Sequence, residues 1–322
     1  SHDPLSGAIV DGRLHGLGTV DMKCGTTASI FTYLYLSGLD EALRGRLTLT
    51  LVSDEETGGR WGAGYLVEHH AEAVLGDCVL NGEPSSPHTI RFGEKAMFWL
   101  KLAIRTPGGH SAYPHVSKSA NRIAAALIRD LETIEALAPT VPDKVARALA
   151  GPDVRAGAER GLGAGAAEIL QSVTLNVGVM RGGVKVNMLP AACEIEADLR
   201  LPVGVDRADV RRAIERIAAR YPEVTWEEGA SQRANATWSD PEHPMVGHLQ
   251  DAVQSRLGFR PPAIISLGGT DCRFWRAASV PAYVYGPSPA GMGAPNESVA
   301  IDEFLHVVRT HALAAFDYLS VA

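Results

Sequence analysis

The sequence predicts an α/β protein in which a smaller α+β domain interrupts a larger α/β domain. Strand-like apolar runs alternate with helical patterns in the first 95 residues and again after residue 232. Between these parts the order of elements is β-α-β-β-α-β, which is typical of a separate small sheet with helices on one face. We therefore predict a first domain from residues 1–95 and 233–322, and a second domain from residues 96–232.

In the first domain, helices and strands alternate in a way that favours a mostly parallel sheet. Ligands of such sheets bind beyond the carboxyl ends of the strands, so acidic residues at those ends are candidate functional residues. The predicted elements are a helix at 26–39, a strand at 47–52, a helix at 62–74, a strand at 77–84, a helix at 248–258, a strand at 281–287 and a helix at 302–319.

The second domain contains four predicted strands and two amphipathic helices. The strand at 97–104 is apolar on both faces, so it could extend a sheet across a dimer. The Gly- and Ala-rich stretch 148–168 is expected to be an irregular surface insertion. The strands are predicted at 97–106, 172–183, 191–202 and 223–229, and the helices at 118–134 and 206–221.

Composition and charge exclude several classes of partner. The net charge is −7 and no basic block is present, so we expect binding to neither nucleic acid nor an anionic membrane. No apolar run is long enough to span a bilayer. The four cysteines lack CxxC spacing, which favours reduced thiols and a cytoplasmic location over a disulfide framework; they are Cys24, Cys78, Cys193 and Cys272.

Acidic residues stand where the predicted strands end or the helices begin. The segment "SDEETGG" places Asp54, Glu55 and Glu56 in succession, while Asp21 and Glu83 stand in "GTVDMKCG" and "NGEPSS". Adjacent carboxylates raise one another's pKa unless a positive charge lies near them. A divalent metal would supply that charge, and a neighbouring glutamate could take a proton from water. Each acid alone is better explained as a solvated loop residue or a helix N-cap, whereas the set in this order and spacing indicates a metal site much more specifically.

These motifs resemble one family along nearly the whole chain. The sequence is similar to the dinuclear metallohydrolases that include acetylornithine deacetylase, succinyl-diaminopimelate desuccinylase, aminoacylase and glutamate carboxypeptidase. The similarity rests on "HDPLSGAIVDGRLHGLGTVDMKCG", "SDEETGG", "NGEPSS", "GEKAMFWLKLAIRTPGGHSAYPH", "GGVKVNMLPAACEIEADLRLP", "SLGGTDCRFWRAASVPAYVYGP" and "APNES". It implies a zinc-peptidase-like catalytic domain and a ferredoxin-like lid domain through which two subunits pair.

The resemblance also implies roles for the acids. Asp21 matches a carboxylate that bridges two metals, Glu56 a ligand of one metal, and Glu83 a ligand of the other. Glu55 matches the general base, which leaves Asp54 to brace the loop. The implied cofactors are two divalent ions, with zinc expected and manganese or cobalt as alternatives.

Further residues match family positions that contact the substrate. His110 in "GGHSAYP" matches a lid histidine that holds the oxyanion across the dimer, although a plain turn histidine is the alternative. Arg200 matches a position that binds a carboxylate, with a lid-surface salt bridge as the alternative. The remaining matches to substrate-binding positions are Asn187, Gly268, Gly269 and Thr270.

The sequence departs from the family pattern at the metal histidines. The family's first metal histidine lies well upstream of the bridging aspartate, and His2 does not match it. We therefore expect the opening part of the catalytic domain to be absent from this chain. The position of the last metal histidine falls on Gly293, or on Ala290 as in some relatives, and neither side chain can bind a metal. Candidate substitutes are His15, His88 and His115.

The resulting functional prediction is a metal-dependent amidohydrolase. It would hydrolyse an amide bond in an N-acyl amino acid or a small peptide-like substrate, with metal-activated water and Glu55 as general base. The missing histidines leave two alternatives open. The chain could be a non-catalytic or metal-impaired member that keeps the cleft, or a hydrolase of a non-peptide C–N bond.

Overall fold

The computed structural model describes residues 2–39, 43–229 and 234–320. The chain divides into two compact units. Unit 1 comprises Ser1–Glu94, Pro142–Leu170 and Thr237–Ala322. Unit 2 comprises Lys95–Val141 and Gln171–Ala236.

The strands of the described residues are mostly short, and the long ones lie in unit 2. They are β1 (Ile9–Val10), β2 (Arg13–His15), β3 (Val79–Asn81), β4 (Ile90–Glu94), β5 (Ala96–Arg105), β6 (Gly109–His110), β7 (Thr174–Gly182), β8 (Met188–Leu189), β9 (Ala192–Leu201), β10 (Val224–Glu228), β11 (Thr237–Trp238), β12 (Ala263–Ser266), β13 (Ala282–Val284) and β14 (Ser298–Ala300).

The helices include all of those predicted from the sequence. They are α1 (Cys24–Ser37), α2 (Ala63–His69), α3 (Ala71–Val74), α4 (Ala120–Leu131), α5 (Asp143–Leu149), α6 (Val154–Leu162), α7 (Ala166–Ile169), α8 (Arg207–Ala218), α9 (Pro244–Leu257), α10 (Cys272–Ala277) and α11 (Ile301–Ser320). Within the described ranges, no helix is both long and apolar enough to cross a membrane.

The main sheet of unit 1 is mixed, whereas the sequence predicted a mostly parallel one. Strand β13 pairs parallel with β3, and β12 pairs parallel with β4. However, β4 runs antiparallel to both β13 and β11. The connection from β3 to β4 contains no helix, and a parallel crossover needs a dozen or more residues. Because the link is short, β4 enters the sheet in the opposite direction.

The prediction of a strand at 47–52 is wrong for the described residues. Among the residues that the structure describes, this stretch forms no ladder with another strand. Its side chains alternate poorly between buried and exposed, and both Leu51 and Val52 are exposed. An alternating apolar pattern indicates a preference for pairing with another strand, but a strand forms only where such a partner lies beside it.

A small antiparallel sheet brings the two ends of unit 1 together. Strand β2 pairs with β1 on one side and with β14 on the other, with His15 opposite Ser298. Helices α1 and α11 pack beside it around a core that contains Val20, Cys24 and Val307. This pairing places the loop after β2 next to the residues that precede β14.

Residues 142–170 also differ from the prediction. The stretch 148–168 was expected to be an irregular surface insertion within the second domain, but residues 142–170 form α5, α6 and α7 within unit 1. Val145, Val154 and Ala158 are buried, and a Cβ at Gly157 would lie 2.4 Å from Cγ of Pro262. Alanine favours helix, and glycine lets a helix approach a neighbouring chain closely. The small residues therefore signal close helix packing here.

Unit 2 has the predicted order of elements, β5–α4–β7–β9–α8–β10. Its sheet is antiparallel in the order β10–β5–β9–β7, and its core contains Phe98, Leu127 and Ile214. Strand β5 is bonded on both sides, so the prediction that residues 97–104 could extend a sheet across a dimer is wrong. Its alternating buried pattern reflects a central strand covered by helices. The edges of the sheet are β7 and β10.

Two buried histidines of α11 lie against the end of β13. His306 shares a 2.7 Å hydrogen bond with the Tyr285 hydroxyl, and His311 Nε2 lies 2.5 Å from the Tyr285 carbonyl oxygen. Burial lowers the pKa of each imidazole to about 4. Both rings are therefore neutral in the folded protein at neutral pH.

The free energy of unfolding should fall as the pH drops from about 6.5 to about 4 because of these rings. In this range the unfolded chain gains protons on His306 and His311 that the folded chain does not bind. Each ring contributes up to about 3 kcal/mol to the loss. His311→Gln should reduce the drop between pH 7 and 4.5, measured by urea unfolding, by about 2–3 kcal/mol. An unchanged pH dependence in this variant would contradict the neutral assignment.

Candidate active site

Asp21 is held by a buried carboxylate from the far end of unit 1. It lies in the irregular turn Thr19–Lys23, directly before α1. Glu297 accepts hydrogen bonds from three backbone N–H groups of this turn, those of Gly18 (2.9 Å), Val20 (2.8 Å) and Asp21 (3.0 Å). The pairing of β2 with β14 brings Glu297 to this position. Charged acceptors for backbone donors form strong hydrogen bonds, so the backbone at Asp21 is firmly oriented.

The "SDEETGG" loop is braced by its first acid, as expected. Asp54 adopts a left-handed backbone conformation, and its carboxylate accepts bonds from the N–H groups of Trp61 (2.8 Å) and Gly62 (2.9 Å). Glu55–Thr57 forms a single 3-10 turn after it. Asp54 thus serves the loop, while Glu55 and Glu56 contribute their side chains to the neighbouring cavity.

Glu83 follows β3 and lies beside Asp21. Its side chain is buried and lies close enough to the Asp21 carboxyl for the two charges to interact. Burial, together with the charge of Asp21, raises the pKa of Glu83 well above its ordinary value. Burial and the charge of Glu56 likewise raise the pKa of Asp21. The carboxyls are therefore close enough for their ionisation to be costly without a cation.

The acids converge on one cavity of about 310 Å³ in unit 1. None of the described residues that line it is a histidine; the lining acids are Asp21, Asp54, Glu55, Glu56, Glu83 and Asp271. Carboxylate oxygens are suitable ligands for hard divalent cations. Their chemistry and their raised pKa values fit a cation at this place. As positioned over residues 2–39, 43–229 and 234–320, no three such side chains close around a single ion point.

Glu55 has a cationic partner from α10. Arg273 Nη1 donates to Glu55 Oε1 at 3.1 Å, and Arg273 Nη2 lies 3.7 Å from Asp271 Oδ1. Burial raises the pKa of Glu55, and the charge of Arg273 partly opposes this. Burial also raises the pKa of Asp271 to about 7. The predicted general base is thus a largely buried carboxylate next to a guanidinium.

The glycine loop before α10 is anchored by Glu94. Thr270 donates to Glu94 from its backbone N–H (3.2 Å) and from its hydroxyl (2.8 Å). Glu94 also accepts a 2.8 Å bond from Arg276. Both the hydroxyl and the backbone N–H of Thr270 are therefore used within the fold. A Cβ at Gly268 would have no atom within 4 Å, so this part of the loop is open.

The histidine substitutes do not lie at the acidic cavity. His15 packs against His2 with tilted rings whose centroids are 4.3 Å apart, and it lines a different pocket. His88 stacks on Phe259 at 5.1 Å. Neither lines the cavity that holds Asp21.

The position expected for a metal histidine lies in an open turn. Gly293 has φ of +65°, and a Cβ there would meet nothing within 4 Å. Ala290 is exposed in the same loop. The loop thus has room for a larger side chain, but this chain supplies none.

In unit 2, two of the predicted substrate residues lie together. His110 in β6 pairs with Met188 of β8, and the Ser111 N–H donates to the Asn187 carbonyl at 3.0 Å. His110 Nδ1 also accepts a 3.2 Å bond from the Ala112 N–H. This bond engages Nδ1 of the ring within the turn itself.

Arg200 and His115 have local contacts within unit 2. Arg200 Nη2 lies 2.8 Å from Asp198 Oδ2, which matches the alternative of a lid salt bridge. His115 packs edge-on to Tyr113, with centroids 6.2 Å apart. Binding of a substrate carboxylate by Arg200 would have to compete with Asp198.

Sequence reasoning missed four residues that shape the cavity. Glu297, Glu94 and Arg273 act through long-range contacts, and Asp271 lines the cavity. The signal for Asp271 and Arg273 was their place in "GGTDCRFW", directly after the glycine loop. Glu297 lies in "APNES", directly after the position Gly293 where a metal histidine was expected.

Comparisons with known proteins identify the family of this chain. The sequence matches the peptidase family M20/M25/M40 over residues 1–317. A succinyl-diaminopimelate desuccinylase of Wolinella succinogenes is 27% identical over 320 residues, covering 97% of this chain and 77% of the relative. A second, from Cereibacter sphaeroides, is 28% identical over 286 residues, covering 86% of this chain and 68% of the relative.

Solved structures share the fold. An M20 family metallo-carboxypeptidase of Sulfolobus solfataricus superposes with a TM-score of 0.77 at 16% identity, covering 99% of this chain and 81% of that one. Human carnosine dipeptidase 1 gives a TM-score of 0.68 at 14% identity, covering 99% and 77%. The expected family resemblance is thereby confirmed. The chain belongs to peptidase family M20/M25/M40 and is one of its metallo-hydrolases.

Proposed function

We propose that this protein hydrolyses the amide bond of an N-acyl amino acid or a small peptide-like substrate. The observation that carries this proposal is the convergence of Asp21, Glu55, Glu56 and Glu83 on one cavity of unit 1. Family membership supports amide hydrolysis as the reaction class. The desuccinylase relatives support an N-acylated amino acid as the first substrate to test.

Asp21, Glu56 and Glu83 are the residues that would hold divalent metal. These three carboxylates would supply oxygen ligands for two divalent ions, and zinc is proposed ahead of manganese or cobalt. Such ions act as Lewis acids that make water more acidic and polarise a carbonyl. Glu297 supports this set because it orients the backbone at Asp21. Ligand supports of this kind are important for metal affinity.

Glu55 is proposed as the general base. It lines the cavity, and burial raises its pKa toward the range in which a carboxylate can accept and return a proton near neutral pH. It would take a proton from the attacking water and then deliver it to the leaving amine. Arg273 keeps the ionised form accessible despite this burial.

Unit 2 is proposed as a ferredoxin-like lid and dimerisation domain. Resemblance supports His110 as the oxyanion donor, and Asn187 and Arg200 as substrate contacts. With β5 in the centre of its sheet, the free edge of β7 is the better candidate for pairing two subunits. A monomer by light scattering would contradict the dimer and the role of His110 in the partner's site.

The four free cysteines support a cytoplasmic location.

Metal analysis and a substrate screen test the proposed function. The protein is stripped with chelator, reloaded with zinc, manganese or cobalt, and assayed with N-succinyl-L,L-diaminopimelate, N-acetyl amino acids and dipeptides. We expect turnover that requires a divalent ion and disappears on chelation. Metal per chain is measured by elemental analysis on the same samples.

A non-catalytic member that keeps the cleft is the second candidate. Gly293 favours it, since the loop position expected to supply a histidine carries no side chain. Absence of both bound metal and turnover in the screen would support this candidate over hydrolysis.

A further inference from the structure

We propose that Arg273 is a positioning residue that holds the Glu55 carboxylate at the edge of the acidic cavity. The inference rests on the proposed role of Glu55. It concerns a contact within unit 1 between "SDEETGG" and the first turn of α10. Arg273 is not among the residues that line the cavity, whereas Glu55 is. Arg273 therefore contacts Glu55 from outside the cavity lining.

In this contact the arginine side chain is buried. Arg273 Nη1 donates to Glu55 Oε1 at 3.1 Å, and the side chains are 7% and 28% exposed, respectively. The guanidinium also packs over the Phe274 ring, 4.9 Å from its centroid. An arginine confined on its faces presents its donors in a fixed direction. Glu55 consequently has one preferred orientation.

Asp271 lies near the other end of the guanidinium as an ion-pair partner without a hydrogen bond. Its Oδ1 lies 3.7 Å from Arg273 Nη2, and both side chains are buried. The buried Asp271 carboxylate and the partly exposed Glu55 carboxylate thus share one buried cation, which disfavours any arrangement in which Arg273 turns away from them.

Gly59 makes room for this arrangement. A Cβ at Gly59 would lie 2.4 Å from Asp271 Oδ1, 2.8 Å from Phe274 Cε2 and 3.2 Å from Arg273 Nη2. Its φ of +65° also suits glycine best. The second glycine of "SDEETGG" is therefore explained by the close approach of the Asp271–Arg273 pair beneath the loop. This is independent of any role given to the metal.

Kinetics of Arg273 variants test the proposal, with Arg60→Met as the matched control. Arg60 is exposed one residue after Gly59 and packs on Trp61. With N-succinyl-L,L-diaminopimelate or the best substrate of the screen, Arg273→Met should lower kcat about 100-fold, since small misplacements have effects of this size. KM and metal per chain should remain close to wild type. Arg273→Lys should recover part of kcat, and Arg60→Met should change little.

The changes in kcat, KM and metal content decide whether Arg273 is a positioning residue. A fall in kcat of about tenfold or more at constant KM and metal content supports positioning. A smaller fall, or a loss that lies in KM or in metal content, overturns it. If Arg273→Met does not fold, Arg273→Gln carries the same expectation, because it keeps an amide donor but no charge.

A melting-temperature cycle separates this inference from the proposed function and needs no substrate. Glu55→Gln, Arg273→Met and the double variant are compared with wild type. Shifts that are clearly non-additive support the contact, whereas additive shifts overturn it. If Glu55→Ala retains turnover, the general-base assignment fails. If Glu55 is essential but Arg273→Met is as active as wild type, only the positioning role fails.

Discussion

Glu55→Ala is expected to abolish turnover while leaving the metal content per chain nearly unchanged. The side chain lines the acidic cavity, and its hydrogen bond goes to Arg273. Loss of a general base lowers rates by about 10²–10⁴-fold, which would put turnover near the limit of detection. Initial rates and elemental analysis on the same preparation measure both quantities.

Glu56→Ala is the matched control because it removes the neighbouring carboxylate of the same turn. That variant should lose metal along with activity, since Glu56 is proposed as a ligand. The two variants together separate proton transfer from metal binding. Turnover of Glu55→Ala at the wild-type rate would contradict the assignment, as would equal metal loss in both variants.

Arg276→Met should lower the free energy of unfolding by about 3–5 kcal/mol. Arg276 and Glu94 form a buried ion pair at 2.8 Å, with side chains 1% and 4% exposed. Arg276 also donates from Nε and Nη2 to the Ala282 carbonyl at the start of β13. The variant would leave the Glu94 carboxylate buried without its cation. Urea unfolding followed by circular dichroism measures the change.

Arg155→Met is the control for this stability effect. Arg155 is an exposed arginine of unit 1 that pairs with Glu159 and Glu168. Exposed pairs are screened by water, so we expect unfolding close to wild type. A small effect of Arg276→Met, equal to that of Arg155→Met, would show that the buried pair contributes little.

The Arg276 variant should also disturb the glycine loop. Glu94 anchors Thr270 through two hydrogen bonds, so a displaced Glu94 carboxylate would release the loop that precedes Asp271 and Arg273. Stability of the sheet and orientation of the general base are therefore linked through Glu94.

Local patterns were enough to predict most elements of both units. The amphipathic helices α4 and α8 and the long strands β5, β7 and β9 appear where the periodicity placed them. Predictions failed where the outcome depended on a partner. Residues 47–52 have a strand pattern without a ladder among the described residues, and β5 became a central strand because β10 and β9 both pair with it.

The sequence by itself determined the family and the order of the acids, because "SDEETGG" and "NGEPSS" place their chemistry within a few residues of chain. Only the tertiary structure decided what stands behind those acids. Arg273 lies 218 positions from Glu55, and Glu297 lies 276 positions from Asp21. Such contacts depend on which strands pair and how closely glycines let loops approach. A buried charge is costly unless an opposite charge lies beside it, and burial is a property of the folded chain as a whole.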